Sequence, residues 1–351
     1  MKKLFLSLVA AIVAATATYA QSSVLATLSH DGEISTFYGG GALKDAHAAA
    51  VDGDIITLSS GTFVATNNTK NITLRGAGFV ADTIVRTYPT VINGDFNIAI
   101  TNKNSEHRLL VEGIYNSSTI TVKDTLRNAA FQKCRLGKVT NSGYEKGIMQ
   151  NVSFIHCYVT NKFQAYYNYN TVSFVNSYVD VSTLGDRSFP YNNFEFVNCF
   201  VEMSYSSQVY YTIFRNCIML GTSTDSGHFL GSTNQAYNCV CGTKDKSYKL
   251  TYGITITANS MNTDFGANSA DKIYALFKSY KGSYTEATTF ELTDEAKAQY
   301  KGDDGTEVGM YGGNMPFSFS TNSPKVTKFI VGQKTTSEGK LSVDFEVTID
   351  E

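Results

Sequence analysis

The chain contains no tryptophan, four prolines and few charged residues, which make up 17% of its 351 positions. Because proline cannot donate a main-chain hydrogen bond, its scarcity favours long runs of paired strands. Average domains contain about 25% charged residues, so Gly, Asn, Ser, Thr and Tyr must supply much of the polar surface. The formal net charge is −2, which excludes the strongly basic surface that nucleic-acid binding needs.

Recognisable catalytic motifs are also missing. The sequence has no nucleophile elbow, phosphate-binding glycine loop or His-rich metal motif. Its five histidines are scattered, and Cys239 and Cys241 have no second Cys/His pair at ligand spacing. We therefore predict neither a metal site nor a cofactor, and the motifs alone do not separate an enzyme from a binding protein.

The N-terminus has the pattern of a secretory signal peptide. Two lysines follow Met1, an apolar run extends from residue 4 to about residue 13, and small residues end at Ala20. We expect residues 1–20 to be cleaved and the mature protein to be secreted, periplasmic or at the cell surface. The apolar run is too short to span a membrane, and no later segment is long and apolar enough, so no membrane span is expected.

Six segments in the middle of the chain share an aromatic residue, two further residues and then Cys or Ser, usually after Asn. They are residues 131–134, 154–157, 174–177, 196–199, 214–217 and 236–239, the last with Ala in the aromatic slot. They begin 18 to 23 residues apart, a period that indicates a solenoid of stacked repeats. Coils of about 20 residues rich in Val, Ile, Phe and Tyr predict a parallel β-helix.

The cysteines recur in one slot of these repeats, where Ser177 substitutes once. In an exported protein, cysteines first suggest disulfides. Stacked neighbours such as Cys199 and Cys217 would lie about 4.8 Å apart at the backbone, but their parallel Cβ vectors would strain a disulfide. We predict a column of buried free thiols instead.

The mature chain divides into three parts. Residues 21–54 predict a strand and a helix that caps the open end of the solenoid, which would otherwise expose core and unpaired edges. Residues 55–315 predict 11–12 coils of β-helix, including weaker late coils at 253–256, 274–277, 290–293 and 308–313. Residues 316–351 predict a β-hairpin, which is either a C-terminal cap or a tail left from a lost domain.

Three segments carry a family resemblance. The sequences ALKDA at 42–46 with GDIITLSSGTF at 53–63, NITLRGAG at 71–78 and DGTEVGMYG at 304–312 resemble the first, second and closing coils of the pectate-lyase-like superfamily. The resemblance implies an all-β, right-handed parallel β-helix. This superfamily includes lyases, hydrolases, esterases, epimerases and proteins without known activity, so the fold does not decide the function.

The repeat register predicts which side chains face outward. The residues one position after the Cys slot should form an exposed aromatic column of Tyr158, Tyr178 and Phe200, with Asp180 and Glu202 beside it in adjacent coils. Aromatic faces with carboxylates suit sugar rings, and two close carboxylates can raise one pKa and support acid–base chemistry. The alternative is that both carboxylates are solvated and the aromatic residues only support a flat sheet.

Two further sets of polar residues repeat. Asparagine precedes the Cys slot in four repeats, where it tolerates a left-handed bend and its amide can bond from coil to coil; these residues are Asn176, Asn198, Asn216 and Asn238. A carbohydrate contact is the alternative role. Loop tyrosines that we expect either to form a glycan or protein surface or to pack inward are Tyr166, Tyr167, Tyr169, Tyr205, Tyr210 and Tyr211.

Three functions remain open. The first is a non-enzymatic, monomeric, exported protein that binds glycans or a protein partner through an exposed face. The second is a lyase acting on uronic-acid polymers, for which the family resemblance implies calcium or a Lys/Arg base. Its weak catalytic candidates are Asp180, Glu202, Lys133 and Arg135, the last two in a basic cluster with Lys138. The third is a purely structural surface protein.

Overall fold

The computed structural model describes residues 24–81, 88–141, 147–166, 169–185, 188, 190–222, 233–244, 246, 254–256, 262–320, 325–335 and 340–348. Parallel stacked sheets form a β-solenoid of about seven turns. This confirms the predicted parallel β-helix, although the turns are fewer than the 11–12 that were predicted. The predicted signal peptide lies outside the described residues.

The described chain contains strands and three short helices, numbered here in chain order. The strands are β1 (Leu25–His30), β2 (Glu33–Tyr38), β3 (Ile55–Leu58), β4 (Gly61–Val64), β5 (Thr73–Arg75), β6 (Thr90–Asn93), β7 (Phe96–Ile98), β8 (Leu110–Glu112), β9 (Ile114–Val122), β10 (Leu126–Arg127), β11 (Ala130–Gln132), β12 (Arg135–Asn141), β13 (Met149–Gln150), β14 (Val152–Ile155), β15 (Tyr158–Ala165), β16 (Thr171–Val175), β17 (Tyr178–Leu184), β18 (Asn193–Val197), β19 (Phe200–Val209), β20 (Thr212–Arg215), β21 (Ile218–Gly221), β22 (Asn234–Tyr237), β23 (Val240–Thr243), β24 (Ile254–Ile256), β25 (Thr263–Asp264), β26 (Lys325–Thr335) and β27 (Leu341–Thr348). The helices are α1 (Ala42–Ala49), α2 (Ala270–Ala275) and α3 (Asp294–Gln299). None of the helices in the described ranges is long and apolar enough to cross a bilayer.

Two large sheets make up the walls of the solenoid. The first sheet has the order β2-β1-β3-β5-β8-β11-β14-β16-β18-β20-β22-β24. The second has the order β25-β23-β21-β19-β17-β15-β12-β9-β6-β4, with β7 also paired to β9. The chain therefore alternates between the two sheets as it advances, and apart from β1 and β2 each strand pairs in parallel with its counterpart in the next coil.

The core contains the predicted columns. The five motif phenylalanines stack with ring centroids 4.6–5.1 Å apart, and all six cysteines are free and buried. The Cys217 thiol donates to the carbonyl of Phe196 at 3.4 Å. The Ser177 hydroxyl makes the equivalent bond to Phe154 at 3.3 Å. The slot therefore accepts Cys or Ser because either can bond the carbonyl of the preceding coil.

A hairpin and a helix close the first coil. Strand β1 pairs antiparallel with both β2 and β3, and α1 buries Leu43 and Ala46. The Lys70 ammonium donates to the carbonyls of His47 at 2.6 Å and Ala50 at 2.5 Å, and to that of the residue after His47 at 3.2 Å. Because these carbonyls lie at the C-terminus of α1, Lys70 supplies partners and a positive charge where the helix dipole is negative.

The predicted late coils are only partly correct. Residues Ile254–Ile256 do form a strand, which pairs with β22. Residues 262–320, called here the closing segment, add the short strand β25 to the second sheet and then fold back over the outside of that sheet. Within it, Phe277 and Phe290 are buried against outward-facing side chains of the solenoid. The segments 274–277, 290–293 and 308–313 are therefore not coils.

The closing segment also explains the asparagine column. The slot has the predicted left-handed backbone, with φ between 45° and 53° from Asn176 to Asn238. However, the Asn176 amide donates to the carbonyls of Met310 and Gly312, at 2.8 and 2.7 Å. The coil-to-coil role predicted for Asn176 is thus replaced by a role in anchoring the closing segment. A coil-to-coil asparagine contact does occur at another turn, where Asn170 N donates to Asn192 Oδ1 at 3.0 Å.

The C-terminal strands β26 and β27 pair antiparallel, as the predicted hairpin requires. The hairpin begins later than residue 316. Phe317 belongs to the closing segment, where it is buried beside Tyr158 with ring centroids 5.2 Å apart.

Candidate functional site

The predicted aromatic column faces outward from the coil but is not exposed. Tyr158, Tyr178 and Phe200 are 1%, 2% and 0% exposed, because the closing segment covers them. The ring of Phe290 stacks on Tyr178 at 4.5 Å, and that of Phe277 packs on Phe200 at 4.8 Å. The prediction of an exposed aromatic face was wrong, since the coil pattern does not reveal which later segment packs on it. In this arrangement the column has no ring face open to a ligand.

The two basic catalytic candidates, Arg135 and Lys133, have other roles in this structure. The Arg135 guanidinium lies 4.5 Å from the ring centre of Tyr115 and 5.1 Å from that of Tyr284, and it pairs with Glu286 at 3.2 Å. Its side chain is 12% exposed, so it anchors the closing segment to the solenoid. Lys133 occupies the position before the Cys slot, where the backbone turns, and it has a left-handed φ of 50°. Neither is among the groups that perturb Asp180, whose charged neighbours are Glu202 and Lys162.

Strand β15 bulges opposite Asp180. Val159 pairs with Val179 and Phe163 with Val181, so residues 160–162 of β15 face Asp180 alone. Bulges of this kind redirect side chains and are frequent beside active sites. Within the bulge Lys162 has φ of 74°, a left-handed conformation that is uncommon for a residue other than glycine. Asp180 accepts a hydrogen bond from the main-chain N–H of Lys162.

The bulge completes a row of charged side chains on successive strands, called here the charged row: Lys138, Lys162, Asp180 and Glu202. Asp180 pairs directly with Glu202, as predicted, and each of the four is half-buried. Their side chains point outward because their sequence neighbours Val139, Phe163, Val181 and Val201 lie in the core. Thr160 is the residue three positions after Cys157, as Asp180 is three positions after Ser177, so counting along the repeat points to Thr160 and does not reveal Lys162.

The two carboxylates of the charged row have different environments. Burial, followed by the negative charge of Glu202, raises the pKa of Asp180 to about 7, while Lys162 opposes the rise. Glu202 Oε2 accepts a hydrogen bond from the Tyr178 hydroxyl at 2.7 Å, and Oε1 accepts one from the Tyr280 hydroxyl. Burial and the Glu202 charge raise the pKa of both tyrosines. Their hydroxyls therefore stay protonated and donate to Glu202, which lies beside an Asp180 carboxyl with a pKa of about 7.

One pair of tyrosines is open to solvent on a different turn. The rings of Tyr169 and Tyr191 stack at 5.2 Å with planes 11° apart, and the residues are 51% and 63% exposed. Of the predicted loop set, Tyr166, Tyr210 and Tyr211 are half-buried. Tyr167 and the side chain of Tyr205 lie outside the described residues. The stacked pair is far less enclosed than the phenols at Glu202, and among the described residues around it no polar partner defines a site.

In the described part of the chain, no three His, Cys, Asp or Glu side chains are grouped as a metal site would require. Comparisons with protein-family models, with curated proteins and with solved structures found no match to this chain. The proposal of a function therefore depends on the geometry of the charged row.

Proposed function

We propose that this is an exported β-solenoid that binds an acidic polysaccharide through the charged row. The proposal of export is supported by the N-terminal pattern of residues 1–20. The observation that carries the proposal of binding is the bulge of β15, which brings Lys162 beside Asp180 and in line with Lys138. Lys138 and Lys162 lie on neighbouring strands, whose backbones are about 4.8 Å apart. Their two ammonium groups suit the carboxylate of a uronic acid.

The protonation state of Asp180 supports the choice of an anionic ligand. When Asp180 is protonated, the charged row has two lysine charges against one carboxylate. Its neutral carboxyl can then donate a hydrogen bond to a sugar hydroxyl or carboxylate. When Asp180 ionises above its pKa of about 7, the charges balance and an anionic polymer is attracted less. Binding should therefore weaken as the pH rises from 6 to 8.

The second candidate is a lyase on uronic-acid polymers, and it is favoured by one observation. A carboxylate with a pKa of about 7 can accept a proton near neutral pH. In this reaction Asp180 would take the proton at C5 of a uronate whose carboxylate lies on Lys138 and Lys162. The electron pair forms the C4–C5 double bond, the C4–O bond breaks, and the leaving oxygen takes a proton from water. Calcium belongs only to this alternative, as a further positive charge on the substrate carboxylate.

The test is affinity electrophoresis of the purified protein through gels containing polygalacturonate, alginate or a neutral glucan, with an assay for unsaturated uronide in the same mixtures. We expect retardation by an acidic polymer. Replacing both lysines, Lys138→Gln with Lys162→Gln, should reduce it. The matched control removes two exposed lysines elsewhere, Lys44→Gln with Lys301→Gln, and should leave it intact.

Each result has a clear meaning. Equal retardation of the two double variants would refute binding at the charged row. Unsaturated product that disappears in Asp180→Asn would establish the lyase. If wild-type protein shows neither retardation nor product, the proposed function is wrong and a structural or protein-binding role takes its place.

A further inference from the structure

A second polar surface lies where the chain enters the early strands of the first sheet. Two neighbouring cavities open there and share Asn71 and His107 as lining residues. They are formed by the connections that precede β3, β5 and β8, by the start of β5 and by β10 with the turn after it, whereas the charged row lies on strands of the second sheet. The surface is therefore separate from the site of the proposed function.

Positive charge dominates the lining of these cavities. Lys103 and Arg127 line one cavity and Arg108 lines the other, against a single carboxylate from Glu106. Two nearby carboxylates are already engaged. Asp124 pairs with Lys103 at 2.9 Å. Asp52 accepts hydrogen bonds from Asn71 N and Asn102 Nδ2, at 2.7 and 2.9 Å. Both engaged carboxylates keep their negative charge, so Asp52, Glu106 and Asp124 match the three basic side chains in number, and the cleft offers an anion the guanidinium donors of Arg108 and Arg127 rather than a net positive charge.

The cleft is also held in shape by close packing. The ring of His107 lies so near Gly53 that a Cβ there would sit 2.8 Å from ring atoms, and Gly53 has φ of 95°. Only glycine combines this backbone with this approach. Asn71 is buried and its amide donates to the carbonyl of Asn102 at 2.9 Å. The loop that contributes His107 and Arg108 is thereby fixed against the first coils.

We propose that this cleft binds the carboxylate or sulfate group of an anionic sugar. Guanidinium groups match planar or tetrahedral oxyanions with paired donors, and the amide and hydroxyl side chains of the lining suit sugar hydroxyls. The larger cavity, of about 270 Å³, is below the ~300–1,000 Å³ of pockets for drug-sized ligands, so it accommodates one charged ring. This inference does not depend on binding at the charged row.

Isothermal titration calorimetry on the full mature chain tests it with four probes: trigalacturonate, glucose 6-sulfate, maltotriose and inorganic sulfate. We expect one or both anionic sugars to bind and maltotriose not to bind. In a background of Lys138→Gln with Lys162→Gln, which removes the charged row, Arg108→Gln with Arg127→Gln should weaken the binding of the anionic sugar about 10-fold or more. The control pair Lys44→Gln with Lys301→Gln removes the same charge and should change the affinity less than twofold.

Three outcomes would overturn the proposal. These are no heat with either anionic sugar, equal affinity in the arginine and control variants, or inorganic sulfate binding as tightly as the sugars, which would mean a site for the free anion. A variant with Lys138→Gln and Lys162→Gln separates the two sites. If it alone loses sugar binding, the charged row is the site and the cleft proposal fails. If it retains binding that the arginine variant loses, the cleft stands whatever the fate of the charged row.

Discussion

Replacing Phe290 with alanine tests whether the closing segment is held by the aromatic column beneath it. Phe290 is 1% exposed. Its ring centroid lies 5.5 Å from Tyr158, 4.5 Å from Tyr178 and 5.1 Å from Phe200. One substitution therefore removes the ring that contacts all three members of the column, and it leaves the inward-facing core of the solenoid unchanged.

The size of the effect follows from burial. Truncating a fully buried phenylalanine to alanine costs about 3–5 kcal/mol, because apolar transfer energy is lost and a cavity remains. Phe319 is the matched control. It lies in the same segment and contacts Tyr158 at 6.0 Å, but it is 37% exposed. Its truncation should cost about 1–2 kcal/mol, since part of its ring is already in water.

The assay must separate loss of the closing segment from loss of the solenoid. Solenoids unfold in parts, because each repeat contacts only its neighbours. With no tryptophan in the chain, the global transition is best followed by circular dichroism in guanidinium chloride. Hydrogen exchange measured by mass spectrometry reports local opening of residues 262–320. We expect Phe290→Ala to raise exchange there before the coils at 130–243 respond. A cost below about 1 kcal/mol, or one no larger than that of Phe319→Ala, would refute the packing argument.

Three further predictions concern single contacts. Lys70→Met should lower the free energy of unfolding by about 1–3 kcal/mol, because the charged donor at the C-terminus of α1 is lost. In the same denaturation assay, Lys44→Met on the exposed face of α1 should be near neutral. Equal costs for the two substitutions would refute the capping role. Cys217→Ser should cost less than Cys217→Ala, because a hydroxyl can replace the thiol bonds to main-chain groups, as Ser177 does; the reverse order would contradict that account of the slot. The pKa of Asp180 is raised from 3.8 to about 7 in the folded protein, so its contribution to stability is present below pH 4 and is lost as the pH rises through 7, up to about 4 kcal/mol. Asp180→Asn should remove that part of the pH dependence. If the free energy of unfolding changes with pH in the same way for both proteins between pH 4 and 8, the pKa shift of Asp180 is absent.

The interior of the solenoid could be predicted from the sequence because it repeats. The aromatic column at Phe131, Phe154 and Phe174 and the buried cysteines of the same motif all lie where the motif placed them. Each coil packs on a copy of itself, so a side chain that fits one coil fits the next. The repeat therefore carries its own three-dimensional register, which ordinary globular sequences do not.

The exterior was harder to predict because its coverage depends on residues far away in the chain. Segments 274–277 and 290–293 have the apolar composition of a coil, yet they pack on outward-facing Tyr178 and Phe200. An outward aromatic row needs a cover or a partner, and the nearest unused apolar segments supply the cover here. Those late segments lack the motif of an aromatic residue followed by Cys, but so do the coil strands β3, β5, β8 and β24, so the motif alone does not separate a late coil from a cover.

The bulge in β15 explains why Lys162 was not predicted and how such residues can be found. In regular coils the inward residues after the motif are two apart, as Val179 and Val181 are, but in β15 they are four apart, at Val159 and Phe163. The inward pattern survives the two extra residues because the bulge pushes them outward. A longer sequence spacing between two successive inward-facing residues thus marks a place where a solenoid departs from its repeat while its core packing is preserved. A charged residue inside that gap, such as Lys162, is displaced toward its neighbours' outward side chains. In this chain that displacement brings it beside Asp180, and the departure from the repeat locates the candidate site more directly than the repeat itself.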